Sequence, residues 1–486
     1  MSKQLSRRAF IKSAAAGSVA ILGYDPRLRS WITPAQAQTS SFKSVPKLDG
    51  VLLFDEASRN AIAVDRGNLF HRVPVAVLNP GSVQDVVKMV QYANKYSLKI
   101  VMRGQGHSRY GQSQAEAGIV IDSSTLNAIQ PPNHDSVYAG PGAFWGDVAK
   151  TTLAKNLTPP VFADTMTLTV GGTLSVGGLG NTSQHFGAQV DNATELDVVT
   201  GDGRLVTCSP QHESELFNMV IAGLGQCGII VRARIRLIPA PSNVVLHNLV
   251  YDDLETYLSD QKQVVTEGRF DHQYGTASRK RNSPWIFTMQ LGKFYTPPDE
   301  PSLAPLEQGL RFRSQADPVR LTYSEYLHRF DARNADEISS GKAARPTPNI
   351  AVWIPASATK DYVAPILAMS SDVAGVDLFS FWPLNTRRFT RPLFRVPDQE
   401  IVFSIWMNRS VAPNDPAALS AMLESNQELL QQMIAAGGKD YRQYGIVRSQ
   451  AEWAEHFGPN VWRRFSAAKK KFDPNQVLTP GPKIFH

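Results

Sequence analysis

The chain has 486 residues, of which 42% are hydrophobic, 19% charged and 9% aromatic. That composition excludes collagen, coiled coil and low-complexity disorder as its main character, and the length suits two or three domains. The formal net charge is +7, but Lys3, Arg7, Arg8, Lys12, Arg27 and Arg29 lie in the first 37 residues against Asp25 alone. The remainder carries about +2, too little for a nucleic-acid footprint. The two cysteines, Cys208 and Cys227, read as buried structural residues.

The sequence opens with Ser6-Arg7-Arg8-Ala9-Phe10-Ile11-Lys12 and a short apolar stretch through Gly23, followed by Ala35-Gln36-Ala37. The stretch is too short to span a bilayer and suits a signal h-region. The paired arginines read as a twin-arginine export signal over residues 1–37. The expected location is therefore periplasmic or secreted, with a cofactor inserted before export. No later run is long and apolar enough to suggest a membrane span.

Residues 38–70 read as an irregular lead-in. From Pro74 strands and helices alternate: strands at 75–78, 99–102 and 118–122, and helices at 83–96 and 144–154. A hairpin over 194–208 turns at Gly201-Asp202-Gly203. A helix at 214–222 and a strand at 228–237 follow. After Pro239-Ala240-Pro241 the texture changes to longer strands (285–294, 350–354, 378–382, 401–407) and long amphipathic helices. The last helix starts at Asp415-Pro416 and ends at Gly437-Gly438. An antiparallel sheet with helices on one face is the simplest arrangement.

Gly223-Leu224-Gly225-Gln226-Cys227-Gly228 matches G-x-G-x-x-G but follows a helix and opens a strand, the reverse of a dinucleotide-binding turn. There is no P-loop and no G-x-S-x-G, and the ten histidines lack metal-ligand spacing. More informative is 103–112, Arg-Gly-Gln-Gly-His-Ser-Arg-Tyr-Gly-Gln. Two glycines after a strand let backbone N–H groups face an anion, with His107 beside it. The run 169–178, Thr-Val-Gly-Gly-Thr-Leu-Ser-Val-Gly-Gly, is too glycine-dense for an ordinary strand or helix and suggests backbone close to a flat or anionic ligand.

In order along the sequence, these pieces resemble the FAD-linked oxidases of the vanillyl-alcohol-oxidase (PCMH) type, and within them the cytokinin dehydrogenases. The resemblance is carried by 104–112, by Asp164 through Leu174, and by Glu195–Gly201 with Ser214–Phe217. Gly223–Ala233 and the tail from Glu452-Trp453 to Phe485 complete it. It implies an α+β fold of two domains. A FAD-binding domain would combine 38–243 (core about 70–240) with a C-terminal return at 441–486, and an antiparallel-sheet substrate domain would occupy 244–440. It implies FAD bonded covalently through His107, whose neutral imidazole can attack the flavin 8α carbon. Gly104, Gln105, Gly106, Ser108 and Gln112 would surround the pyrophosphate. Thr169, Ser175, Ile229, Tyr444 and Thr479 would contact the flavin. Asp164 would take a proton from the substrate amine as hydride leaves the adjacent carbon for flavin N5.

The substrate side departs from the family. Tyr274 stands where a glutamate is usual in F-D-Y-x-E-G, and Asn349 and Phe389 stand where tryptophans are usual. Pro482 replaces a glutamine after Pro-Gly in the tail. Tyr274, Asn349 and Phe389 are therefore candidate substrate residues. The expected activity is oxidation of the C–N bond that carries the isoprenoid group of N6-isoprenoid adenines, giving adenine and an unsaturated aldehyde, with a quinone or O2 as electron acceptor. The alternative is another amine, alcohol or sugar oxidised on the same fold.

Overall fold

The computed structural model describes residues 23–25, 30–32, 44–279, 283–369, 376–444, 446 and 448–485. The arginine pair and Ala35–Ala37 lie outside the described residues. The lead-in is more ordered than its composition suggests. Val51–Leu53 forms a strand, and Glu56–Ala61 a helix capped by Asp55, whose carboxylate accepts the Ser58 amide at 2.9 Å.

Three sheets organise the protein. The first is four-stranded, in the order Val51–Leu53, Ala76–Asn79, Ile119–Asp122, Ile100–Arg103. Its last three strands are parallel, which requires the crossover helix Val83–Tyr96. That helix buries Val86, Met89, Val90 and Ala93 on the sheet, as their three-to-four spacing demands. The second sheet is antiparallel, in the order Leu205–Cys208, Ala193–Val199, Ile229–Arg236, Ser136–Ala139. The strand Ile229–Arg236 follows the helix Ser214–Val220, so the glycines of 223–228 sit in a helix-to-strand turn. Cys208 and Cys227 are buried free thiols.

The third sheet has nine antiparallel strands. Its centre runs Asn243–Tyr251, Ile286–Tyr295, His272–Ser278, Val376–Asn385, Ile401–Arg409, Ile350–Pro355. One face is sealed by the helices Leu254–Glu267, Thr359–Ala368 and Pro416–Ala435, whose Leu258, Val264, Val363, Ile366, Leu429 and Met433 join one core with Phe379, Phe381, Ile405 and Met407. The period of two in a strand turns the alternate residues to the other face.

The glycine run departs from expectation. Val170–Val176 is a helix after all. Its glycines serve packing: a Cβ on Gly171 would lie 2.7 Å from the Pro141 side chain, so the helix can approach only without one.

The C-terminal tail returns to the first sheet. Ile100 donates its amide to the Val477 carbonyl, and Thr479 donates to the Ile100 carbonyl, both at 2.9 Å. The buried Asp473 holds this return. It takes the Val477 amide at 2.9 Å, the Leu478 amide at 3.0 Å and the buried Lys469 ammonium at 2.6 Å. Removing one partner of such a pair leaves an uncompensated charge. Asp473→Ala is expected to cost about 3–5 kcal/mol of stability, read as a lowered urea midpoint.

Candidate active site

The site begins with the loop that leaves the strand Ile100–Arg103. Gly106, Tyr110 and Gly111 all adopt left-handed backbone, with φ of 64°, 60° and 71°. The preceding segment pins the turn. Arg66 donates its amide to the Gly106 carbonyl at 3.0 Å, and Asp65 accepts the Gly111 amide at 2.7 Å. Gln112 donates to the Arg442 carbonyl at 2.7 Å, tying the loop to the returning tail. The buried Tyr110 hydroxyl donates to the Asn349 carbonyl at 3.1 Å, tying it to the third sheet.

A cavity of about 570 Å³ opens between this loop and the third sheet. Gly104, Gln105, Gly106, His107, Ser108 and Gln112 line one part of it, with Thr169, Ser175, Ile229, Thr479 and Pro482. Asp164, Tyr274 and Asn349 line it too. His107 is half-buried on the wall. Desolvation, then the charges of Arg109 and Arg66, push its imidazole down to about 3, so the ring is neutral near pH 7.

The third sheet supplies its other wall by alternation. Leu378, Ser380 and Trp382 face the cavity, as do Trp406 and Asn408, while Phe379, Phe381, Ile405 and Met407 face the core. Ser380 lies opposite Trp406 in register, and the rings of Trp382 and Trp406 are 4.7 Å apart. Tyr274 packs on Trp382 at 5.1 Å and exchanges a hydrogen bond with the Ser380 hydroxyl at 3.0 Å. Burial raises its phenol, so it is a neutral group that can both donate and accept. Asn349 is held by amide-to-amide contact, donating to Asn408 at 3.1 Å and accepting the Arg409 amide at 2.8 Å.

Asp164 has two partners that the sequence did not reveal. Asn181 donates to its Oδ1 at 2.7 Å, and Arg329 donates to the same oxygen at 3.0 Å. Trp382 in turn donates its indole N–H to Asn181 Oδ1 at 2.6 Å. Among the described residues Oδ2 carries no hydrogen bond. Nothing local marks Arg329 or Asn181, since each meets Asp164 only through the fold. The aromatic spacing Tyr323, Tyr326, Phe330 is the nearest sequence signal around Arg329.

One candidate is placed otherwise, and one has no described side chain. Phe389 does not reach the cavity. After the short turn Thr386–Arg388 its partly buried ring packs edge-on against Trp353 at 5.4 Å and beside Phe394 at 5.5 Å, against the edge of the core. Tyr444 ends the one-turn helix Arg442–Tyr444, and its side chain is outside the described residues.

Residues 74–209 match the family described as "FAD binding domain", and 270–485 match "Cytokinin dehydrogenase 1, FAD and cytokinin binding". Cytokinin dehydrogenase 9 of Oryza sativa subsp. japonica is 30% identical over 492 residues, covering 93% of each chain. An uncharacterized oxidoreductase, ORF5 in the fasciation locus of Rhodococcoides fascians, is 33% identical over 436 residues, 89% of this chain and 99% of that one. The chain belongs to the cytokinin dehydrogenase family of FAD-dependent oxidoreductases. Its fold is that of the crystal structure of 6-hydroxy-D-nicotine oxidase from Arthrobacter nicotinovorans, with a TM-score of 0.70 over 90% of this chain and 98% of that one at 21% identity.

The residues present fit the family's FAD. The loop and the glycine turn offer bare backbone where a side chain would intrude: a Cβ on Gly104 would lie 2.1 Å from Thr169 Oγ1, and one on Gly225 would lie 2.6 Å from Thr479 Oγ1. Gly104 lets Thr169 approach the loop and Gly225 lets Thr479 approach the glycine turn before Ile229, and all four line one cavity. The wall beside His107 is therefore close-set and lined by glycine backbone, which leaves room for a flat cofactor.

Gly106 is the sharpest test of this fit. A Cβ there would lie 2.1 Å from the Arg103 guanidinium, at a φ that side chains rarely adopt. Gly106→Ala is expected to purify with several-fold less FAD per protein molecule than wild type, measured as the ratio of flavin to protein absorbance.

Proposed function

We propose that this enzyme oxidises the C–N bond that carries the isoprenoid group of N6-isoprenoid adenines, releasing adenine and an unsaturated aldehyde once the imine is hydrolysed. The observation that carries this reading is the placement of Asp164. Its Oδ2 is unclaimed beside a wall formed by Tyr274, Trp382 and Trp406, which suits a planar heteroaromatic ring bearing an N–H. When bound, FAD supplies the hydride acceptor at N5.

The protein's own contribution is positional and acid–base. Asp164 accepts the amine proton at Oδ2, while Asn181 and Arg329 fix the carboxylate through Oδ1. Tyr274 and Ser380 offer a neutral hydrogen-bonding pair to the ring edge. His107, held neutral, is the residue that tethers the flavin. A tethered cofactor cannot be lost outside the cell, which agrees with the twin-arginine leader and with periplasmic or secreted location. The electron acceptor is a quinone or O2.

Tyr274, in place of a glutamate, favours a second reading, in which the same machinery oxidises another amine, an alcohol or a sugar. Anaerobic mixing with isopentenyladenine separates the two. Bleaching of flavin absorbance near 450 nm supports the first. No bleaching, with a flavin that dithionite still reduces, supports the second. In the first case Asp164→Asn should slow bleaching by about 10²-fold or more while flavin stays bound. Near-full turnover in that variant would exclude the proton-acceptor role.

The tether has a separate test. Acid precipitation of wild type should carry yellow flavin down with the protein. His107→Ala should leave the flavin in the supernatant, and flavin retained by that variant would point to another attachment.

A further inference from the structure

Arg329 is not on the cavity wall. It lines a small pocket behind Asp164, with Pro160, Asn181, Thr182 and Tyr326. Its side chain is only 12% exposed. One arm donates to Asp164 Oδ1 and the other to the Tyr326 carbonyl at 2.8 Å. The guanidinium lies over the rings of Tyr326 and Phe330, 4.3 and 4.4 Å from their centres.

The Tyr326 ring is itself held. Its hydroxyl is 2.8 Å from His272 Nδ1, and His272 Nε2 is 3.1 Å from Gln290 Oε1. Gln290 spends its amide N–H on Asn248 at 3.0 Å, so its oxygen accepts from His272 and the Tyr326 hydroxyl donates to Nδ1. The guanidinium therefore sits on a clamped platform and cannot easily swing from Asp164.

Without that guanidinium, Asp164 beside Tyr274, Trp382 and Trp406 would make a good receptor for an alkylammonium ion, with one carboxylate and several aromatic faces. With it, a second cation would have to share a charge already compensated. Arg333, on the cavity wall and stacked on Phe330 at 4.3 Å, adds to the repulsion. A neutral N–H donor meets no such penalty and finds Oδ2 open.

We propose that Arg329 is a positioning and specificity residue: by compensating Asp164 from behind, it sets the cavity to take a neutral, weakly basic amine on a heteroaromatic ring and to reject alkylammonium ions of similar shape. This rests on the reading of Asp164 as proton acceptor and narrows it to a substrate charge state.

The test is calorimetric titration of dithionite-reduced holoenzyme, in which neither ligand can turn over. The probes are isopentenyladenine and the isopentenyl(methyl)ammonium ion at pH 7. Wild type should prefer the neutral ligand at least tenfold. Arg329→Met should shrink that ratio at least tenfold, whereas Arg329→Lys, which keeps the charge, should retain most of it. A ratio unchanged within twofold in Arg329→Met overturns the inference. So does a wild type that binds the ammonium as tightly, a result that decides the matter even if Arg329→Met does not fold. A preserved ratio shift without bleaching by isopentenyladenine would overturn the substrate reading alone. Binding of neither ligand would overturn both.

Discussion

The polypeptide folds its tail back onto its N-terminal half, where Thr479 and Pro482 join the cavity wall, and the buried carboxylate of Asp473 holds that return. Two backbone amides and the Lys469 ammonium converge on it, and Lys469 also donates to the Gln226 carbonyl at 3.0 Å. Gln226 then holds the Thr479 carbonyl at 2.8 Å. One buried ion pair thus sets the last residues against both the first sheet and the glycine turn that opens the strand Ile229–Arg236. A pair so buried contributes little net stability against an apolar substitute, but its donors and acceptors match in only one arrangement. The register of the tail, and with it the position of Thr479 on the cavity wall, follows from that arrangement.

The second constraint is the pleat of the nine-stranded sheet. Strands give two faces, and this sheet uses them for opposite purposes: one is sealed by three helices, the other lines the cavity. The same alternation that buries Phe379 and Phe381 delivers Ser380 and Trp382 to the site. A one-residue slip would exchange core and site together, so packing on the helix side enforces geometry on the cavity side. Pre-organisation of the aromatic wall is therefore a by-product of core burial.

What the sequence discloses follows from how local each signal is. The helix Val83–Tyr96, the hairpin at Gly201–Gly203 and the strand Ile229–Arg236 are periodic or punctuated stretches, and their local pattern suffices. The loop at 104–112 is legible because glycine there answers a backbone need, visible in the left-handed angles at Gly106 and Gly111. The helix Val170–Val176 is not, because glycine propensity argues against a helix while close packing on Pro141 demands glycine. Phe389 is misplaced for a related reason. Aromatic character does not distinguish a core ring from a ligand-facing one, and the turn Thr386–Arg388 rotates it away from the alternation that governs Trp382. Arg329 and Asn181 are invisible because an ion pair across 165 residues and a hydrogen bond to an indole-held amide have no local trace.

By the sequence resemblance Tyr274 stands where a carboxylate is usual, which would change the charge beside Asp164. With a second acid there, the guanidinium of Arg329 would face two competing anions. With a phenol that burial keeps neutral, Asp164 is the guanidinium's sole anionic hydrogen-bonding partner among the described residues, and Tyr326 and Phe330 can hold it flat behind that one carboxylate. Glu337, the other acid on the wall, is paired with Arg66 at 3.3 Å. The site is therefore balanced around a single carboxylate oxygen rather than two acids. On the proposed reading, a ring that enters would be oriented by aromatic contact and by neutral donors and acceptors, with the reacting N–H directed to Asp164. On the same reading, geometry at that end comes from stacking on Trp382 and Trp406, because the one other acid on the wall is already paired with Arg66.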